Sequence, residues 1–213
     1  TGKVLLYDVS QNTKRTVVPI GEISDYVKKA AIAIEDRDFY NHNGVKPSSF
    51  LRAMFVNLTT LSLSQGGSTI TQQVVKNSIL TNEKWISRKL KEWILAIQLE
   101  KFLNKDEILA MYLNEIPYGG TIYGIEEASQ TFFGKSANEV TLTEAAYLAA
   151  IPKAPTYYSP YGKNHEKLEA RKNLVLKQMR DNDMIAEEEY QKSKEEKIEF
   201  KPNRRSNCRT DFK

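Results

Sequence analysis

The stretch Glu35-Asp36-Arg37-Asp38-Phe39-Tyr40-Asn41-His42-Asn43-Gly44 decides how this chain is read. It follows an apolar helical face made by Ile23, Val27, Ala30, Ala31 and Ile34, with Ser24 as the expected cap. A core-facing stripe has no use for carboxylates at its end, yet Glu35 and Asp36 stand there. Asn41, Asn43 and Gly44 then break the helix. If the helix persists to His42, Glu35, Phe39 and His42 share one face. An aromatic neighbour limits the solvation of a carboxylate and suits it to general-base work.

A second polar run begins 22 residues after Gly44: Gly66-Gly67-Ser68-Thr69-Ile70-Thr71-Gln72-Gln73, continuing to Lys76. It reads as a glycine turn and then a helix capped by Ser68 or Thr69. Free N–H groups and hydroxyls at such a helix start favour anions. Gln72 and Gln73 share a helix face with Lys76. Further on, Lys84, Arg88 and Glu92 recur every four residues, with Lys89 beside them. Ile86, Leu90, Trp93, Ile94 and Ile97 line the opposite side. By spacing alone this is a salt-bridged surface stripe. Two later segments read as packing elements. One runs from Ile108 through Tyr112-Leu113-Asn114 to Gly119-Gly120 and Tyr123-Gly124-Ile125. The other runs from Leu142 to Ala149 and ends at Ile151-Pro152-Lys153-Ala154-Pro155, where paired prolines stop a helix.

The chain has 213 residues, enough for one substantial core with a small second lobe. Its longest apolar run, Ala145–Ile151, is seven residues, whereas a membrane-spanning helix needs roughly 20. The net charge of +4 is unremarkable overall. Between Lys76 and Lys105, however, seven Lys or Arg stand against three Glu. That local excess suits phosphate, diphosphate or an anionic lipid surface. No nucleic-acid module pattern appears, so nucleic acid is not an expected partner. One cysteine cannot form an internal disulfide, and two histidines far apart in sequence do not point to a histidine-based metal site. Periodicity predicts helices near 69–80, 83–103, 105–114, 122–133, 141–151, 164–181 and 186–196. Residues 3–9 and 15–18 read as a short hairpin. The class is mainly α with a short N-terminal β element, and residues 201–213 read as a linker or disordered tail.

These five segments, in this order, resemble the signature motifs of the peptidoglycan glycosyltransferases, glycosyltransferase family 51. That family includes the polymerase half of class A penicillin-binding proteins. The first matches Glu-Asp-x-x-Phe-x-x-His-x-Gly without departure, and the third is Arg88-Lys89-x-x-Glu92. One departure is visible: Ala128-Ser129-Gln130-Thr131-Phe132-Phe133 stands where the family often has Ala-Ala-x-x-Tyr-Phe, which reads as a packing variation. The likeness runs from Gly2 to Tyr190, and the N-terminal hairpin looks more like the class A proteins than the monofunctional enzymes.

The resemblance implies a lysozyme-like helical large lobe with a smaller membrane-facing jaw lobe at about 45–80, inside a glycosyltransferase domain at 1–200. It implies polymerisation of lipid II into β-1,4 glycan strands with inversion, releasing polyprenyl diphosphate. Glu35 and Glu92 would be the catalytic carboxylates. Asp36, Phe39, His42, Ser68, Thr71, Gln72, Gln73, Lys76, Lys84, Arg88, Lys89 and Asn114 would contact substrate. A divalent cation (Mg or Mn), with Glu92 as ligand, is expected to assist. Expected partners are lipid II, the growing glycan strand, the membrane surface, moenomycin-type inhibitors and cell-wall assembly proteins. The expected location is the outer face of the bacterial cytoplasmic membrane, anchored by an upstream helix. The apolar residues between 50 and 64 would serve partly as a membrane-touching face. Two rival readings are a lysozyme-type glycan-cleaving enzyme, which leaves the basic stripe unexplained, and a non-catalytic lipid II-binding module. Neither Ser-x-x-Lys nor Lys-Thr-Gly occurs, so no transpeptidase signature is present.

Overall fold

The computed structural model describes residues 15–48, 67–78 and 85–202. These residues form eight α-helices: α1 Asp25–Glu35, α2 Ile70–Ser78, α3 Trp85–Phe102, α4 Lys105–Glu115, α5 Ile125–Phe132, α6 Leu142–Ala150, α7 His165–Asp181 and α8 Glu187–Glu195. A two-stranded antiparallel hairpin, β1 Pro117–Gly119 and β2 Ile122–Tyr123, sits between α4 and α5. The mainly helical class is therefore as expected. The β element is not where the sequence placed it: residues 15–18 form no strand, residues 3–9 lie outside the described set, and the hairpin comes at 117–123.

At the centre lies α6, buried along almost its whole length and packed against α1 and α7. Alanines make that possible. Ala145, Ala146 and Ala150 of α6 and Ala30 of α1 are fully buried, so the helix axes approach closely. The helix starts are specified locally. Asn104 caps α4 and Thr141 caps α6, each reciprocated by a glutamate three residues on (Glu107 and Glu144); such caps contribute about 1 kcal/mol each. Ser24 does precede α1, but its hydroxyl donates to the Val140 carbonyl at 3.0 Å instead of capping its own helix. Buried Lys172 donates to the carbonyls of Ser193 and Lys194 and pairs with Glu169, closing the C-terminal end of α8. Beyond α8, Phe200 stacks on Phe133 and the Lys201 N–H donates to the Phe132 carbonyl at 2.8 Å, which straps residues 198–202 across α5.

The second half of the expected jaw belongs to this same core. Ile70, Val74 and Val75 of α2 are fully buried, and α2 packs on both α3 and α4. The first half falls mostly outside the described residues, as do the apolar positions between 50 and 64 and Lys84. Among the described residues no helix is long and apolar enough to cross a membrane.

One backbone contact sets the loop before α2. Gly44 has φ +83°, and a Cβ there would lie 2.5 Å from the Ala96 carbonyl oxygen of α3. Only glycine combines that conformation with that approach. Gly44→Ala is expected to destabilise the domain by about 2 kcal/mol or more, measurable as a lowered denaturant midpoint.

The core also buries phenols. Burial pushes Tyr112, Tyr118 and Tyr147 above their usual value of 10.0. Above that pH the unfolded chain loses phenolic protons that the folded chain keeps. The folded state then binds more protons, so stability falls as pH rises. The thermal unfolding midpoint is expected to hold up to about pH 9 and to drop between about pH 10 and pH 12; a flat profile across that window would show the phenols to be solvated.

Candidate active site

Helix α1 ends at Glu35, and Asp36 turns the chain with φ −160° and ψ 74°. Glu35, Phe39 and His42 therefore do not share a helix face; Phe39–Asn41 form a separate 3-10 turn. The break lets the Asp36 carboxylate face inward. Its Oδ2 accepts from His42 Nε2 at 2.8 Å and from the Ile70 N–H at 3.1 Å. A carboxylate only accepts, so Nε2 carries the histidine proton. The Ile70 N–H is among the first of α2, where a negative charge is stabilised by the helix dipole.

Thr69 completes the junction. Its N–H donates to Gln72 Oε1 at 2.8 Å, and its hydroxyl oxygen accepts from the Gln72 N–H at 3.1 Å. This is a capping box with glutamine as the fourth residue. The same hydroxyl donates to the Gly44 carbonyl at 2.6 Å. The start of α2 is thus tied to both ends of the first motif. Gln73, one position past the box, then donates to Glu35 Oε2 at 2.7 Å. Among the described residues, Glu35 Oε1 has no hydrogen-bond partner.

Several residues expected to touch substrate lie behind this surface. Asp36, Phe39 and Thr71 are buried. Phe39 sits edge-on to His42, with the Lys105 ammonium 4.6 Å from its ring centroid. Lys105 donates to the His42 carbonyl and to Glu100 Oε1, and the Thr71 hydroxyl donates to that same oxygen. These side chains position Glu35 and Gln73. Asn114 is corrected too: its amide is committed to the Val18 backbone in both directions and to the Ala110 carbonyl. It pins the N-terminal segment to α4 and is absent from the cleft lining.

The orientation of α3 overturns the surface-stripe reading. Leu90, Ile94 and Ile97 face solvent, with exposures of 63%, 50% and 39%, while Glu92 is 3% exposed. The charged side of the helix points inward. Lys89 Nζ bridges Glu92 Oε2 at 3.0 Å and Ser68 Oγ at 2.7 Å. Arg88 Nε lies 3.5 Å from Glu92 Oε1 and makes no hydrogen bond among the described residues.

Glu35, Glu92, Ser68, Gln72, Gln73 and Lys76 all line one cleft of about 560 Å³. Residues 57 apart in sequence thus supply its two carboxylates. The opposite wall was not foreseen. Arg171, Leu174 and Gln178 come from one face of α7, with Lys153 after α6 and Tyr112 from α4. Arg171 is held by its Nε bond to the Ala150 carbonyl at 3.0 Å and by the Tyr158 ring. Tyr112 stays protonated, because burial and the nearby Glu35 carboxylate both push its phenol well up. The only sequence signal for Arg171 and Gln178 was their spacing of seven, which is also that of an ordinary exposed face.

Glu92 does not suit a protein-held divalent cation. Arg88 and Lys89 already face its two oxygens, and no group of three His, Cys, Asp or Glu able to hold a metal occurs among the described residues. A further cation would be repelled by those already present. No step below is routed through a metal.

Residues 2–180 match the family model described as transglycosylase. The chain is 44% identical over 188 residues to penicillin-binding protein 1A of Aquifex aeolicus, covering 88% of this chain and 26% of that protein. It is 42% identical over 185 residues to penicillin-binding protein 1A of Escherichia coli, covering 87% and 22%. The crystal structure of penicillin-binding protein 1A from Haemophilus influenzae aligns with a TM-score of 0.55 at 26% identity, over 90% of this chain and 19% of that one. The chain therefore spans about a quarter of the length of these relatives. The family match covers most of the sequence, and the fold gathers Glu35, Glu92 and Lys76 of the motifs into one cleft: the chain belongs to the transglycosylase family, as a peptidoglycan glycosyltransferase domain of the class A penicillin-binding protein type.

Proposed function

We propose that this domain polymerises lipid II, a disaccharide-pentapeptide on a polyprenyl diphosphate, into β-1,4 glycan strands. The observation that carries the reading is the placement of Glu35 and Gln73, joined at 2.7 Å, in a cleft whose other side is lined with cations.

A sugar hydroxyl is a weak nucleophile until its proton is removed. Glu35 is oriented by Gln73 through Oε2, and Oε1 accepts that proton. The leaving diphosphate departs as an anion and needs charge stabilisation more than protonation. Lys89, Arg88 and Lys76 supply it. Arg88 Nε, buried without a hydrogen-bond partner among the described residues, is a donor that an anionic oxygen would satisfy. Glu92 holds Arg88 and Lys89 in place. Displacement of an α-linked diphosphate by the hydroxyl in a single step gives the β-linkage, with inversion and no covalent enzyme intermediate. The substrate is a membrane lipid, so the domain works at the outer face of the cytoplasmic membrane. Lipid II-mimicking phosphoglycolipids of the moenomycin type would compete for the cleft, and cell-wall assembly proteins are the partners to seek.

Glu35→Gln removes the base and keeps the shape. Polymer formation from labelled lipid II in detergent is expected to fall by about 10²–10⁴-fold, with lipid II binding retained. Ladder gels and a binding titration on the same preparation check this. Full polymerisation by the variant would remove Glu35 from the mechanism.

A further inference from the structure

A second groove, of about 680 Å³, adjoins the catalytic cleft along the β1–β2 hairpin. The two share a seam. Pro117 and Lys153 line the cleft, whereas their near neighbours Tyr118 and Pro155 line the groove.

The two cavities differ in chemistry. The cleft presents Lys76, Lys153 and Arg171 around its carboxylates. Among the described residues, the groove lining has two charged side chains, Glu127 and Lys201, of opposite sign. Glu127 is partly satisfied by the Thr16 hydroxyl at 2.7 Å. The described lining offers a diphosphate no cluster of cations. Its floor is aromatic: Tyr118 and Phe132 are buried, and the half-buried Tyr161 ring lies 5.9 Å from that of Phe132. Around that floor stand Gln130, Thr131, Thr156 and Ser159, whose amide and hydroxyls both donate and accept. The hairpin tip adds Gly119 and Gly120, both at positive φ, where no side chain shields the backbone. An apolar floor with a ring of neutral donors and acceptors matches a pyranose, which has a flat C–H face and hydroxyls at its edge.

We infer that this groove is a saccharide-binding site that holds the growing glycan strand away from its reacting end. The inference rests on the polymerase reading for the identity of the strand. A held strand stays with the enzyme between additions, so the groove sets how long the product becomes.

The probe is a peptide-free β-1,4-linked N-acetylglucosamine oligomer carrying a photo-reactive diazirine, cross-linked to the whole 213-residue chain and mapped by mass spectrometry. Cross-links are expected on residues 118–122 and 155–162. Thr156→Trp fills the groove from an exposed position, and Gln130→Trp fills it from α5 on the opposite wall. Each is expected to cut those cross-links by about tenfold or more and to shorten the glycan made from lipid II. Cross-links confined to the cleft, or unchanged in both variants, would overturn the inference. So would cross-linking only by an oligomer that carries stem peptide. If the wild-type chain makes polymer without groove cross-links, this inference alone fails. If it makes no polymer, the polymerase reading fails, whatever the groove binds.

Discussion

The Asp36 carboxylate is the contact on which the rest of the site depends. It is 7% exposed and accepts from two donors that belong to different parts of the chain, the His42 ring and the first N–H of α2. Leaving a buried carboxyl group bare is costly, so an arrangement that gives it two good hydrogen bonds beside a helix N-terminus is strongly favoured. The bond to Ile70 sets the start of α2 against the end of α1. Once that is set, the capping box fixes the helix direction, and Gln73 falls opposite Glu35. The Glu35–Gln73 pair is thus a consequence of the neighbouring carboxylate and not an independent feature.

The inward face of α3 is the other unusual expense. Burying Glu92 costs several kcal/mol in desolvation, and a structure built for stability alone would turn Leu90 and Ile94 inward instead. Arg88 and Lys89 offset much of that cost, and the Ser68 hydroxyl oxygen accepts a further hydrogen bond from the Lys89 ammonium. What remains is a pair of partly buried cations held against Glu92 and Ser68, two residues of the cleft lining. In such surroundings a charge acts on a leaving group far more strongly than it would in water.

Element boundaries were largely legible in the sequence because they are written locally. Asn104 with Glu107 and Thr141 with Glu144 mark helix starts whatever the tertiary context, and the helices from α3 to α8 begin and end within about three residues of the periodicity reading. Orientation was not legible. The pattern at Lys84 to Ile97 gives two faces, and periodicity cannot say which one meets the core when the charged face serves a site. The hairpin at 117–123 was missed because Pro117 to Tyr123 has too few alternating residues to signal strands, and residues 15–18 have strand-like residue types but form no strand. Of the residues named from the motifs, Glu35, Ser68, Gln72, Gln73, Lys76 and Glu92 line the cleft, but the far wall was missed. Arg171 and Gln178 reach the cleft only through the packing of α7 on α1 and α6, which no local pattern encodes. Asn114 was misassigned for the same reason: its amide is consumed by Val18, 96 residues away.

The central claim is that Asp36 anchors α2 and thereby places Gln73 against Glu35. Amide hydrogen exchange in Asp36→Ala, compared with the unaltered chain, tests it most directly. The account predicts faster exchange from Ile70 through Ser78, with α6 and α7 unchanged. Exchange along α2 as slow as in the unaltered chain would contradict it, because the helix would then be held by something other than that carboxylate.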